Sequence, residues 1–178
     1  TLMALKQACQ ANYGLDVRFA VLVHDLGKAL TPTEELPRHI MHEERGLQPV
    51  TEVCDRLKVP SQLKSLDLTV CKEHLKCHQA KSLKPGTLWR LLQRLDVLRK
   101  PEKVEAFVQA CECDAKGRLG LEDRPYPQAQ YILDAMQIVR NIRAQDLPEH
   151  ITGPEIGEML IKYRVEALAQ FKQQHDEP

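Results

Sequence analysis

The chain has 178 residues, 43% of them apolar and 28% charged, and its 25 basic and 25 acidic side chains cancel to zero net charge. That composition is ordinary for a soluble globular protein and excludes a disordered polymer; the length suits one domain with a sizeable core, or a core plus a small helical appendage. No apolar run approaches the roughly 20 residues of a membrane span, and the N-terminus lacks the basic-then-apolar pattern of a secretory signal, so no membrane partner is expected.

The chain begins at Thr1 without a Met, as expected of a processed or excised polypeptide. Six cysteines (Cys9, Cys54, Cys71, Cys77, Cys111, Cys113) fall mostly inside helical patterns and read as free thiols of a reducing, cytoplasmic compartment. The zero net charge hides an asymmetry: Lys58 to Lys103 carries eleven Lys/Arg against four Asp/Glu. Such a basic half either attracts a phosphate-bearing substrate or is simply a solvated face.

Helical periodicity dominates from end to end. Thr1 to Ala11 reads as a helix stopped at Tyr13-Gly14. Asp16 can cap the next, which carries Phe19, Ala20, Leu22, Val23 and Leu26 before Gly27. Thr31 to Pro37 is a loop, since Pro32 and Pro37 bar helix continuity. A helix over about His39 to Leu57 follows, disturbed at Pro49. Another starts at Pro60-Ser61 and runs to about Cys77. After Pro85-Gly86, the stripe Leu88, Leu91, Leu92, Leu95 and Leu98 predicts an amphipathic helix with Trp89 as a core anchor, and Asp96 falls inside that stripe. Pro101 opens a helix ending near Cys113. A loop rich in Gly and Pro follows, from Gly117 to Pro127, and then helices over about Gln128 to Gln145 and Pro154 to Gln174. The expected fold is all-α, a helical bundle of about seven to eight helices, with a core over 1–125 and a helical extension over 126–178 packed on it.

The sharpest local signal is His24-Asp25-Leu26-Gly27-Lys28 at the end of an apolar helix. Burying an aspartate beside a neutral histidine is costly unless a cation or donors match it. A divalent metal supplies the match, and imidazole plus carboxylate suits Mn, Fe, Ni or Zn. Helical spacing puts Lys28 on the face of His24, near any anion such a metal binds. The bland alternative is a histidine at a helix C-terminus with Asp25 paired to Lys28. Further ligand-competent residues occur in separate segments: His39 and His42 at i,i+3, His74 and His78 at i,i+4, Asp96 among leucines, and Asp114 before Gly117-Arg118. Each has an ordinary explanation singly, but together they point to one shared site.

The doublet with its Leu26-Gly27-Lys28, followed by Pro37-x-His39-x-x-His42-Glu43-x-x-Gly46, resembles the HD phosphohydrolase superfamily. Within it, the chain is most similar to the C-terminal HD domain of bacterial CCA-adding enzymes, the multifunctional tRNA nucleotidyltransferases. Supporting stretches are Asp16 to Ala20, Leu30-Thr31-Pro32, Asp96 to Pro101, Cys113-Asp114-x-x-Gly117-Arg118 and Tyr126-Pro127-Gln128, so the resemblance covers nearly the whole chain. It implies an HD-domain bundle with a metal held by His24, Asp25 and a downstream aspartate, Asp96 by preference, with Asp114 as competitor or substrate-site residue. It places His42 and His74 where they line the site or hold a second metal, and Lys28 as a phosphate or carboxylate partner. The superfamily's first histidine is expected just upstream of Thr1.

The resemblance further implies hydrolysis of 2′,3′-cyclic nucleotides, 2′-nucleotides and phosphomonoesters, with Ni²⁺, Mn²⁺ or Mg²⁺ as the divalent metal. Asp25, Lys28, His42 and His74 would carry the chemistry, and Lys28, Arg118, Asp114 and His39 would bind substrate. Lys28, Arg118 and either of His42 and His74 would neutralise the charge that builds on the transferring group, and a histidine would protonate the leaving oxygen. The implied partners are tRNA or RNA ends, reached through a parent enzyme with an N-terminal nucleotidyltransferase domain; a homodimer is left open. Two rival readings stand beside this one. The first is a non-catalytic helical module that contacts tRNA or dimerises, with a vestigial doublet. The second is a structural zinc site from Cys71, His74, Cys77 and His78, which lacks the usual knuckle.

Overall fold

The computed structural model describes residues 1–176; positions 177 and 178, the end of the expected 126–178 extension, lie outside the described residues. Among the described residues the fold is all-α, without strands. The helices are α1 (Leu2–Gln10), α2 (Leu15–Val23), the single turn α3 (His42–Arg45), α4 (Leu47–Arg56), α5 (Ser61–His78), α6 (Pro85–Arg94), α7 (Pro101–Lys116), α8 (Pro127–Asn141) and α9 (Glu155–Asp176). Short 3₁₀ segments cover Leu26–Leu30, Thr33–Glu35, Ala80–Ser82 and Ala144–Asp146.

Three starts are fixed by proline: Pro85, Pro101 and Pro127 each open a helix where the missing N–H has no intrahelical partner to lose. The same logic corrects the expectation for Pro49, which sits in the first turn of α4 rather than breaking a longer helix. The break falls instead at Gly46, between α3 and α4. It is set by a backbone crossing: a Cβ on Gly27 would lie 1.9 Å from the His42 carbonyl oxygen and 2.6 Å from the Gly46 nitrogen. Only glycine permits that approach, and it brings α3 against the turn that follows the His24-Asp25 doublet.

The stripe helix is also shorter than its leucines suggest. Leu88, Leu91, Leu92 and Leu95 are buried at the expected i,i+3,i+4,i+7 spacing. The helix nevertheless ends at Arg94, and Asp96 adopts a left-handed conformation at φ 58°. Leu98 is left exposed.

The middle of the molecule is the packing of α2, α5 and α7 on one another, with α1 against α2 and α7, and α8 against α7. One apolar cluster runs from Ala4 and Ala8 through Val17, Phe107 and Ile132 to Leu168, so residues on both sides of position 125 contribute to it. A second, smaller cluster of Val23, Val50, Cys54 and Cys71 ties α4 to α2 and α5. No helix among the described residues is long and apolar enough to cross a membrane.

Candidate metal centre

Where α2, α5 and α7 meet, buried apolar packing gives way to polar side chains. His24 and Asp25 end α2, His74 and His78 lie one turn apart on α5, Asp114 is near the end of α7, and His42 opens α3. His24, His42 and His74 are buried. Their Nδ1 atoms each face a backbone carbonyl: His24 on Val21 at 2.8 Å, His42 on His39 at 2.9 Å, and His74 on Val70 and Cys71 at 3.0 Å. A carbonyl only accepts, so each Nδ1 carries the proton and each neutral ring presents its Nε2 lone pair.

Those three lone pairs converge with two carboxylates. His42 Nε2 is 3.2 Å from His74 Nε2 and 3.3 Å from Asp25 Oδ1. His24 Nε2 is 3.4 Å from both Asp25 Oδ2 and Asp114 Oδ1. At 3.4 Å these are poor hydrogen bonds, and both His24 Nε2 and Asp25 Oδ1 are buried without a hydrogen-bond partner. Acceptors gathered face to face in a dry site repel one another unless a cation sits among them. Ligand atoms of His24, Asp25 and His74 all lie within 4.8 Å of one another, close enough for one ion to bind all three. Nitrogen and carboxylate oxygen donors fit a divalent transition metal, and the Nδ1 bonds to main chain orient the rings for it.

The protonation balance carries the same signature. Burial opposes charging His24, but Asp114 and Asp25 outweigh it and raise its pKa above the ordinary 6.5. Burial, then the neighbouring His24, pushes His74 down to about 4. Burial also works against ionising Asp114, yet His24 and His78 hold its carboxyl far below the usual carboxylate range. Asp25 is likewise held down, against burial, by His24 and Lys28. A proton on His24 and a divalent ion are thus alternative ways to satisfy one set of donors, so metal binding should release protons.

The sequence-predicted residues divide clearly. The structure gathers His24, Asp25, His42, His74 and Asp114 at one point. Asp96, the preferred downstream aspartate, is not there. Its left-handed turn takes it off the α6 face, its carboxylate accepts from Arg99 Nε at 2.8 Å, and it lines a separate surface cavity with Trp89 and Gly157. Lys28 lies on a 3₁₀ turn, not one α-turn above His24, and its ammonium is 2.5 Å from Asp25 Oδ2. His39 supports His42 through its carbonyl, and its own Nδ1 meets Thr31 Oγ1 at 2.9 Å. Arg118 stands outside the cluster, on a neighbouring cavity whose inner wall is His78.

The zinc-site reading fails on direction. Cys71 Sγ turns to the Glu43 carbonyl, and Cys77 Sγ takes the Tyr126 hydroxyl at 3.4 Å. The sequence offers His78 as the i,i+4 neighbour of His74 among the residues that point to one shared site, but gives it no role of its own outside the rejected zinc set. In the structure its Nε2 donates to Asp114 Oδ2 at 2.9 Å and its Nδ1 meets Tyr126 Oη at 2.8 Å. The i,i+4 spacing of His74 and His78 was the available signal, because it puts both on one face of α5.

This geometry can be set beside known proteins. The chain is 81% identical over 175 residues to the Multifunctional CCA protein of Acinetobacter baumannii, covering 98% of this chain and 42% of that protein. The chain is homologous to a segment of the multifunctional CCA proteins. It is 72% identical over 177 residues to the namesake of Acinetobacter baylyi and 48% identical over 176 residues to that of Pseudomonas fluorescens, in each case across 43% of the relative. The chain therefore spans about two fifths of the length of the curated relatives it matches. No family model matches the chain, and no solved structure does.

Proposed function

We propose that this chain is a metal-dependent HD-type phosphohydrolase domain, forming the C-terminal part of a cytoplasmic enzyme that builds and repairs the CCA end of tRNA. Its expected substrates are 2′,3′-cyclic nucleotides, 2′-nucleotides and phosphomonoesters. The remainder of the protein would hold a nucleotidyltransferase domain. The observation that carries this reading is the convergence of three Nε2 atoms and two carboxylates, with His24 Nε2 and Asp25 Oδ1 buried and unpartnered.

In this reading His24, Asp25 and Asp114 hold the ion, and His42 and His74 complete its surroundings or hold a second one. When bound, a divalent ion supplies a Lewis acid for a phosphoryl oxygen and lowers the pKa of a water. The chain's own residues do the rest. Lys28, 36% exposed and anchored on Asp25, places an ammonium beside the cluster where charge on the transferring group would build. The main-chain bonds at each Nδ1 fix the rings, so little reorganisation is needed on binding. His42, buried but 7% exposed against 1% for His24 and His74, is the one of these three imidazoles nearest the surface, and its Nε2, once protonated, would pass a proton to the leaving oxygen.

The test is hydrolysis of adenosine 2′,3′-cyclic phosphate by the full protein with Mg²⁺, Mn²⁺ or Ni²⁺, against Asp25→Ala. Turnover that needs a divalent ion and disappears in the variant supports the reading. A folded, metal-loaded protein without turnover contradicts it and favours a helical tRNA-contacting module.

A further inference from the structure

The cavity beyond His78 has a composition unlike that of the metal cluster. It measures about 550 Å³, within the usual range for sites that take small organic ligands. The loop that forms its outer wall sorts its charges. Arg118 and Arg124 line the cavity, whereas Glu122 and Asp123 line a different one with Lys6 and Gln7. No carboxylate lines the His78 cavity. Lys116, also on its wall, is already tied to Glu112 at 2.6 Å. Among the described residues, neither Arg118 nor Arg124 has an ion-pair partner, and both are exposed. Two guanidinium groups are thus left for an anion that the chain itself does not provide, and planar guanidinium is the side chain best matched to phosphate.

Leu121, Pro125 and Pro127 give the wall an apolar surface for a ring, beside the polar side chains of Tyr126 and Gln128. The inner end is His78, whose Nε2 is 2.9 Å from the candidate metal ligand Asp114. A ligand filling the cavity would therefore touch His78, the imidazole that holds Asp114, at one end and the arginines at the other, with its apolar body between them.

We propose that this cavity is a subsite for a second phosphate, the 5′-phosphate of the nucleotide whose 2′- or 3′-phosphate is being hydrolysed. The inference rests on the phosphohydrolase reading and narrows it to substrates with phosphate on both sides of one nucleoside. Two sources share that chemistry: the last nucleotide of an RNA chain, and a free nucleotide phosphorylated at the 5′ position.

The test compares kcat/KM of the full protein for three substrates: adenosine 2′,3′-cyclic phosphate, the same compound bearing a 5′-phosphate, and the dinucleotide ApA ending in a 2′,3′-cyclic phosphate. The 5′-phosphorylated compound should be preferred over the first by roughly tenfold, and Arg118→Ala with Arg124→Ala should bring that ratio close to unity. A further gain for the dinucleotide points to RNA ends, and parity points to the free nucleotide. Equal kcat/KM for the first two substrates, or a preference that survives in the double variant, overturns the subsite. If nothing is hydrolysed, the phosphohydrolase reading fails and the subsite is decided by calorimetry. Tighter binding of adenosine 3′,5′-bisphosphate than of adenosine 3′-monophosphate, lost in the double variant, supports it; equal binding overturns it.

Discussion

Asp25 and Asp114 at the metal centre and Asp67, two turns before His74 on α5, are all withdrawn from solvent, yet they meet contrary fates. Asp67 is fully buried near the second core cluster, with only the Cys54 thiol at 3.5 Å for company and one oxygen unpartnered. Burial drives its pKa up to about 7. At the metal centre burial pushes the same way, but imidazoles surround the carboxylates and both pKa values fall. Burial alone neutralises a carboxylate; keeping one ionised inside a protein takes a purpose-built shell. The three aspartates differ in their neighbours far more than in their depth.

Breaking the shell at its ligands has the largest expected effect. Asp25→Ala should lower hydrolysis of adenosine 2′,3′-cyclic phosphate by roughly 10³-fold, measured at saturating metal, by removing two contacts to the imidazoles and the anchor of Lys28. One layer out, His78→Ala frees Asp114 Oδ2 and should weaken metal affinity by about 10–100-fold, read by titration with Mn²⁺. Tyr126→Phe, which removes only the hydroxyl facing His78 Nδ1, should cost less than that.

The other half of the comparison is sharpened by Asp67→Asn. The folded carboxyl binds its proton more tightly than an ordinary aspartate of pKa 3.8, so the native state holds more protons than the unfolded chain between the two values. Its contribution to stability is fully present below about pH 4 and is lost as pH rises through about 7. Asn at this position cannot titrate. Thermal unfolding of the variant should therefore depend less on pH across that interval, with a Tm above that of the unmutated protein by on the order of 2–4 °C at pH 8. The smallest effect belongs to Asp96→Asn. Asn tolerates the left-handed backbone, the exposed contact with Arg99 is worth little, and both metal affinity and turnover should be unchanged.

The contrast between Asp96 and Asp114 also marks how far the sequence could be read. The helices were legible because their signals are local: apolar spacing, and prolines at the starts of α6, α7 and α8. The doublet and the His74 spacing were legible for the same reason. What periodicity could not reveal was where α6 stops. Its leucine stripe continues past Arg94, but Leu95 and Val97 are buried from a turn rather than a helix, and Asp96 swings away between them. The second missed feature was non-local. Gly27 and Gly46 are unremarkable apart and meaningful only when pressed together, and that contact brings His42 to the doublet. His78 was legible as a partner of His74 on one helix face, but its role depends on Asp114 and Tyr126, which are 36 and 48 residues away.

The central claim is that one divalent ion binds at His24, Asp25 and Asp114, and the most direct measurement is an equilibrium titration with Mn²⁺ or Ni²⁺ on the full protein and on Asp114→Asn and Asp96→Asn. The account predicts proton-releasing binding that Asp114→Asn weakens by roughly 100-fold and Asp96→Asn leaves intact. Binding lost in Asp96→Asn and kept in Asp114→Asn, or no binding by the unmutated protein, would contradict it.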